Sequence, residues 1–272
     1  MDHNSKDIQL QYEGFLNTPF LWRKEPLFGL KQFEFQEKNC STFEGNVTKQ
    51  PRLGKRVERF ISFELQQQDS IKLLFENFQI QNGKITIGEI DFLLQQNKKP
   101  IHLEAIYKFY LYDENFGSTE IEHWIGPNRK DNLVKKLTKL KNKQLPLLYK
   151  KEAKILLDKY NLNVSTIKQR VYFKAQLFVP LRLKNKEFKL INNTCITGFY
   201  IDLSELQQFK KCKFYIPTKI NWLQNIKVNI TWLNFNVFST KIKPLLNQQT
   251  APLCWIKHPN GETEKCFIVW WN

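Results

Sequence analysis

Between residues 71 and 112, three runs of strand-forming residues follow one another with almost nothing between them. IKLLFENFQI (71–80) stops at Asn82-Gly83, KITIGEIDFLL (84–94) resumes at once, and after the polar stretch QQNKKP the chain continues as IHLEAIYKFYLY (101–112). Asn-Gly between two such runs is the pair best suited to a tight hairpin turn, because both residues tolerate positive φ. A chain carrying this segment builds antiparallel sheet near its middle, and the flanking segments must cover that sheet.

The flanks read mainly as helix. From Leu53 to about Gln67, the apolar residues Val57, Phe60, Ile61 and Leu65 recur at helical spacing behind Gly54. In GPNRKDNLVKKLTKLKNKQL (126–145), Leu133, Val134, Leu137 and Leu140 alternate with lysines at helical period, which predicts a basic amphipathic helix over about 129–143. More helix is expected over 150–160, strands around 170–180 and 194–202, and a short helix near 204–210. The last third reads as β-rich and ends in a hairpin about Asn260-Gly261. Residues 1–50, with Phe15, Phe20, Trp22, Phe28, Phe33 and Phe35, read as an irregular or helical arm packed on the body. The expectation is an α/β fold with an αβββαβ core and a mixed central sheet. Its parts are an N-terminal arm (1–50), the core (51–180) and a β-rich C-terminal extension (181–272).

Charge is the first clue to function. Lys and Arg number 42 against 26 Asp and Glu, a net +16. Such a surplus favours a polyanion at the surface, because neutralised phosphates release their counterions. Nucleic acid is the expected partner, DNA ahead of RNA, although abundant lysine also serves solubility alone. Five cysteines (40, 195, 212, 254 and 266) form no CxxC pair and only four histidines are present, so neither a disulfide framework nor a zinc site is expected. No apolar run opens the chain and none is long enough to span a bilayer. The expected location is cytoplasmic, with no membrane partner.

Acidic residues placed on the strands suggest chemistry. Side chains alternate between faces along a strand, so Glu89 and Asp91 share one face of the second run, and His102, Glu104, Ile106 and Lys108 share one face of the third. If the runs are neighbours, Asp91 and Glu104 converge at one place, and Glu58 approaches from the helix. Clustered carboxylates repel one another in a poor dielectric, and a divalent cation removes that cost. Mg²⁺ suits two or three carboxylates, because it retains several waters and takes few protein ligands. Lys108 would add positive charge beside it.

GEIDFLL followed, thirteen residues on from Asp91 to Glu104, by HLEAIYKFYL resembles the D…E…K signature of the PD-(D/E)xK, restriction-endonuclease-like nucleases. GKRVE (Gly54 to Glu58) is similar to the helix of Holliday-junction resolvases and related exonucleases whose glutamate joins the metal site. With HWIGPNRKDNLVKKL…QL (123–145), the chain also resembles a bacterial family of unknown function within that superfamily, most distinctly over residues 54–145. The resemblance implies a restriction-endonuclease-like core and Mg²⁺- or Mn²⁺-dependent hydrolysis of phosphodiesters. Asp91, Glu104 and Lys108 would be catalytic, and Glu58, Asp91 and Glu104 would bind metal. The superfamily places its lysine two residues after the glutamate. Here that slot is Ile106 and the lysine lies four residues on, displaced by about 7 Å along the strand with parity preserved.

The expected nucleic-acid contacts are Arg129, Lys130, Lys135, Lys136 and Lys139, of which the lysines also suit the wet face of a helix. His102 reads as a structural histidine rather than a base, and Asp131 as an acid that helps start the helix. Two other functions fit the composition. One is a nucleic-acid-binding protein of the same fold that no longer turns over. The other is a partner-binding protein whose lysines serve only solubility.

Overall fold

The computed structural model describes residues 3–35, 42–45 and 52–271. Its elements, in chain order, open with α1 (His3–Asn17), α2 (Leu53–Gln66), β1 (Ile71–Asn82), β2 (Ile85–Gln96), β3 (Lys99–Tyr112) and β4 (Trp124–Ile125). They continue with α3 (Leu133–Lys139), α4 (Lys154–Lys159), β5 (Lys168–Pro180), β6 (Ile196–Ile201) and β7 (Lys213–Tyr215), and close with α5 (Phe235–Asn247), β8 (Leu253–Lys257) and β9 (Thr263–Ile268). The strands form one mixed sheet in the order β1-β2-β3-β5-β6-β9-β8-β7, with β4 against β3. The mixed α/β class read from the sequence stands.

The chain divides into two compact units. One holds Phe20–Tyr107 and Lys135–Lys174, the other Met1–Pro19, Lys108–Val134 and Ala175–Asn272.

In the first unit, β1, β2 and β3 form the antiparallel meander that the three runs demand. Gly83 takes φ 60° in the first turn. The second turn is as tight. Asn97 and Lys98 have φ 50° and 65°, so QQNKKP is not a loose connection but a two-residue hairpin with both central residues left-handed. The strands therefore run longer than their apolar patterns indicate, because polar residues continue the ladder to its ends. One face of the meander is covered by Leu147, Leu148, Ala153, Leu156 and Ile167, which pack on Ile80, Ile90 and Leu93. Residues 20–33 lie along β5: the Leu21 N–H donates to the Phe173 carbonyl (2.9 Å), and Phe33 N–H to the Val171 carbonyl (2.8 Å).

The basic helical segment departs from expectation at both ends. Regular helix begins at Leu133, not near 129, because residues 126–131 make a turn of their own. Gly126 N–H donates to the Asp131 carbonyl (2.8 Å) and Arg129 N–H to the Gly126 carbonyl (2.8 Å). Arg129 is left-handed (φ 56°), a conformation no helix contains. Asp131 is thus part of the turn, and its carboxylate is taken by Lys108. At the other end, α3 runs into a π-turn (Leu140–Gln144) and then a 3-10 segment (Leu145–Tyr149) carrying Pro146 at its start.

The second unit holds β6 to β9 and α5. Phe238, Ile242 and Leu246 of α5 are buried with Phe214, Cys254, Ile256, Cys266 and Ile268, and the Phe214 and Phe238 rings stack at 4.1 Å. This helix lies in a segment read only as β-rich. It is started by Asn234, whose side chain accepts from Val237 N–H (3.0 Å), and it contains Pro244. The final hairpin turns about Asn260-Gly261 as expected, with Gly261 at φ 92°. Cys195, Cys212, Cys254 and Cys266 are buried; Cys40 lies outside the described residues. Among the described residues, no helix is long and apolar enough to cross a membrane.

Candidate active site

The site lies in the first unit, where the β2–β3 ladder gives out. Their register runs from Gln96↔Lys99 to Phe92↔Leu103. One more step would set Asp91 opposite Glu104. Instead the Asp91 carboxylate takes the place of a ladder carbonyl, accepting the Ala105 N–H through Oδ2 at 2.9 Å. Residues facing each other across antiparallel strands point to the same side, so the two acids are brought together. Their proximity registers in charge. Burial first, and the neighbouring Glu104 second, push the Asp91 carboxyl up to about 8, against the opposing pull of the Ala105 N–H. Glu58 pushes the same way and Lys136 pulls against it, both more weakly.

Glu104 is wholly buried (0% exposed) and held at both oxygens. Oε2 accepts from Gln144 Nε2 at 2.6 Å, and Oε1 lies 3.0 Å from His102 Nε2. The tautomer of His102 is set from its other side. Gln169 Nε2 donates to the Leu145 carbonyl (2.6 Å) and lies 3.1 Å from His102 Nδ1. An amide nitrogen can only donate, so Nδ1 accepts and the ring proton sits on Nε2, donated to Glu104. His102 is then a positioning group that fixes the carboxylate.

Lys136 closes the set. Its ammonium donates to Gln144 Oε1 at 2.9 Å, so one glutamine side chain links the cation to Glu104. Gln144 is the last residue of the π-turn. Widening a helix by one residue there re-aims the side chains beyond it, and such turns often occur at functional sites. Neither Gln144 nor Gln169 stands out in the sequence, because a lone glutamine, in a lysine-rich helix or at the start of a strand, carries no pattern.

Glu58 is near enough to Asp91 to affect its titration, but it is bound elsewhere. Lys55 Nζ bridges Glu58 and Glu89, each at 2.7 Å, and reaches Asn77 Oδ1 at 3.0 Å. Burial raises the Glu58 carboxyl and Lys55 opposes it. Among the described residues, no group of three or more His, Cys, Asp or Glu side chains is arranged to hold a metal ion. The metal-binding potential therefore rests on the Asp91–Glu104 pair. That pair suits Mg²⁺ or Mn²⁺, which need only one or two carboxylates, and its raised carboxyl marks a negative charge that lacks compensation.

The other expected residues are dispersed. Lys108 falls in the second unit, where its ammonium pairs with Asp131 at 2.5 Å. Arg129 pairs with Asp113 (2.8 Å) and lies 4.7 Å over the Trp271 ring, in the turn before the helix. Lys130, Lys135 and Lys139 are exposed, and Lys136 is half-buried.

Residues 16–269 match a family model described as Domain of unknown function (DUF1853). Among curated proteins nothing matches. Among solved structures nothing matches either.

Proposed function

We propose that the chain, which belongs to the DUF1853 family, is a divalent-metal-dependent nuclease of the PD-(D/E)xK kind that acts on nucleic-acid phosphodiesters in the cytoplasm. The observation that carries this reading is the pair Asp91–Glu104, two carboxylates set together at the end of the β2–β3 ladder, where burial first and Glu104 second raise the Asp91 carboxyl. Asp91 and Glu104 would hold Mg²⁺ or Mn²⁺, and Glu58 would assist once Lys55 yields it. The bound ion would supply Lewis acidity towards a phosphoryl oxygen and a lowered pKa for attacking water.

The chain's own groups have distinct parts. His102 and Gln144 fix the Glu104 carboxylate, one at each oxygen. Of the two lysines that bear positive charge near this sequence motif, Lys136 is better supported than Lys108. Lys136 already bonds to Gln144 of the site, whereas Lys108 is engaged by Asp131. The ammonium of Lys136 would stabilise charge developing on the phosphate. Lys135 and Lys139, exposed on α3, would contact backbone phosphates, with Lys130 beside them. Arg129 is the weakest of the expected contacts, given its hold on Asp113 and Trp271.

The test is cleavage of assorted DNA and RNA substrates with Mg²⁺ or Mn²⁺, comparing Lys136→Ala with Lys108→Ala. Loss of the Lys136 ammonium is expected to slow turnover by about 100-fold, the usual effect of removing one charge-stabilising donor. Lys108→Ala is expected to stay within about threefold, since a partly exposed ion pair contributes little. The reverse order would return the role to Lys108. A second reading, a nucleic-acid-binding protein without turnover, is favoured by one observation: Glu104 is sealed from solvent. Binding without metal-dependent cleavage on any substrate would select it.

A further inference from the structure

A second feature of the first unit has a chemistry of its own. A concavity of about 720 Å³ is lined by Lys24, Lys31, Lys99, Lys168 and Arg170, against the two carboxylates Glu25 and Glu34. A smaller concavity of about 360 Å³ shares Lys31 and Arg170 with it and adds Lys141. Three separate stretches supply the cations of the larger hollow: the segment 24–34, the start of β3, and the first residues of β5. Lys168 and Arg170 are two apart on β5 and so share a face.

Among the described residues, no side chain pairs with Lys24, Lys31, Lys99 or Lys168. Arg170 donates to the Gln169 carbonyl at 2.8 Å. Like charges gathered in a concavity focus the field between them, and the buried Phe33 and Ile101 that share its wall lower the local dielectric. The shape argues against a small-molecule pocket, which needs buried polar groups converging on one point. These cations instead line two joined hollows, as a polyanion's repeating charges require. The smaller hollow also has Gln169 in its wall, and Gln169 bonds to His102, which bonds to Glu104. Gln169 lies between Lys168 and Arg170 on β5, so its side chain turns to the face of His102 and Glu104, opposite to theirs.

We infer that this groove seats the sugar-phosphate backbone of a nucleic-acid strand. The inference rests on nucleic acid being the substrate, and its location differs from the helix that the sequence suggests. The test uses the full chain in EDTA, where binding is read without cleavage. Labelled single-stranded oligonucleotides of DNA and of RNA are titrated across a range of salt. The groove variant carries Lys31→Gln, Lys99→Gln and Lys168→Gln. A control carries Lys210→Gln, Lys211→Gln and Lys213→Gln, three exposed lysines of the second unit.

The groove variant is expected to lose at least about 30-fold in affinity at about 100 mM salt. Its log K against log[salt] slope should fall by about 2, because each lost single-strand phosphate contact removes roughly 0.7. The control should change less than about threefold. Equal losses in both variants, or none in the groove variant, would overturn the inference. So would a groove variant that still binds oligonucleotides but no longer binds phosphatidylserine vesicles, since the groove would then serve an anionic membrane. Cleavage by the wild type in Mg²⁺ is scored separately. Groove-dependent binding with no cleavage removes the nuclease reading alone, and cleavage with groove-independent binding removes the groove alone.

Discussion

Asp91→Asn is expected to abolish metal-dependent cleavage, by at least about 1,000-fold, while the protein stays folded and still binds nucleic acid. The substitution keeps the shape of the side chain, and the asparagine oxygen can still accept the Ala105 N–H that Asp91 holds at 2.9 Å. The variant lacks only the negative charge that would help hold the cation. Glu104→Gln is the less clean variant. Glu104 receives donors at both oxygens, from His102 and Gln144, and an amide would turn a donor of its own towards one of them. That clash in a fully buried place costs about 1–3 kcal/mol, so lost activity there would be mixed with lost stability. Initial rates at saturating substrate, with circular dichroism to verify the fold, check the Asp91 result. An Asp91→Asn protein cleaving within a few-fold of wild type would remove the site from the chemistry.

The second large effect is on stability. In EDTA, the wild type is expected to lose about 2 kcal/mol relative to Asp91→Asn between about pH 5.5 and about pH 8. In the folded chain Asp91 titrates at about 8, well above its ordinary 3.8. Between those values the native state keeps a proton that the unfolded chain has released. Stability therefore falls as pH rises through this window and levels off above it. Each pH unit changes the balance by at most about 1.4 kcal/mol, and relaxation around the site keeps the sum below the full amount.

Comparison with the variant is needed because Lys265, in the second unit, acts the opposite way. Burial depresses its ammonium to about 7 from 10.5, so its contribution to stability weakens as pH falls through that range. Urea unfolding of both proteins at the two pH values measures the difference. A wild type and Asp91→Asn pair with parallel pH dependence would show that Asp91 is an ordinary exposed acid.

The central meander was legible because its signals are local. Asn82-Gly83 and the alternating runs determine neighbours without reference to the rest of the chain, and neighbouring strands with known parity bring Asp91 to Glu104. The residues that hold that pair were not legible. Gln144 and Gln169 lie 40 and 65 residues beyond Glu104, and no periodicity marks either. Only the π-turn in the lysine-rich helix and the course of β5 bring them to it. Lysine assignment shows the same limit. Parity along β3 puts Lys108 on the same face as Glu104, but the acid that engages it, Asp131, belongs to a turn that the lysine pattern marks as helix. The cations of the groove come from three stretches, one of them the start of β3, and a sequence shows such a gathering only as net charge.

The most direct measurement is calorimetric titration of metal-stripped protein with Mn²⁺ at about pH 8, run on wild type and on Asp91→Asn. A bound cation at the two acids requires a saturable site in the wild type that releases a proton and disappears in the variant. Indistinguishable titrations of the two proteins would contradict it.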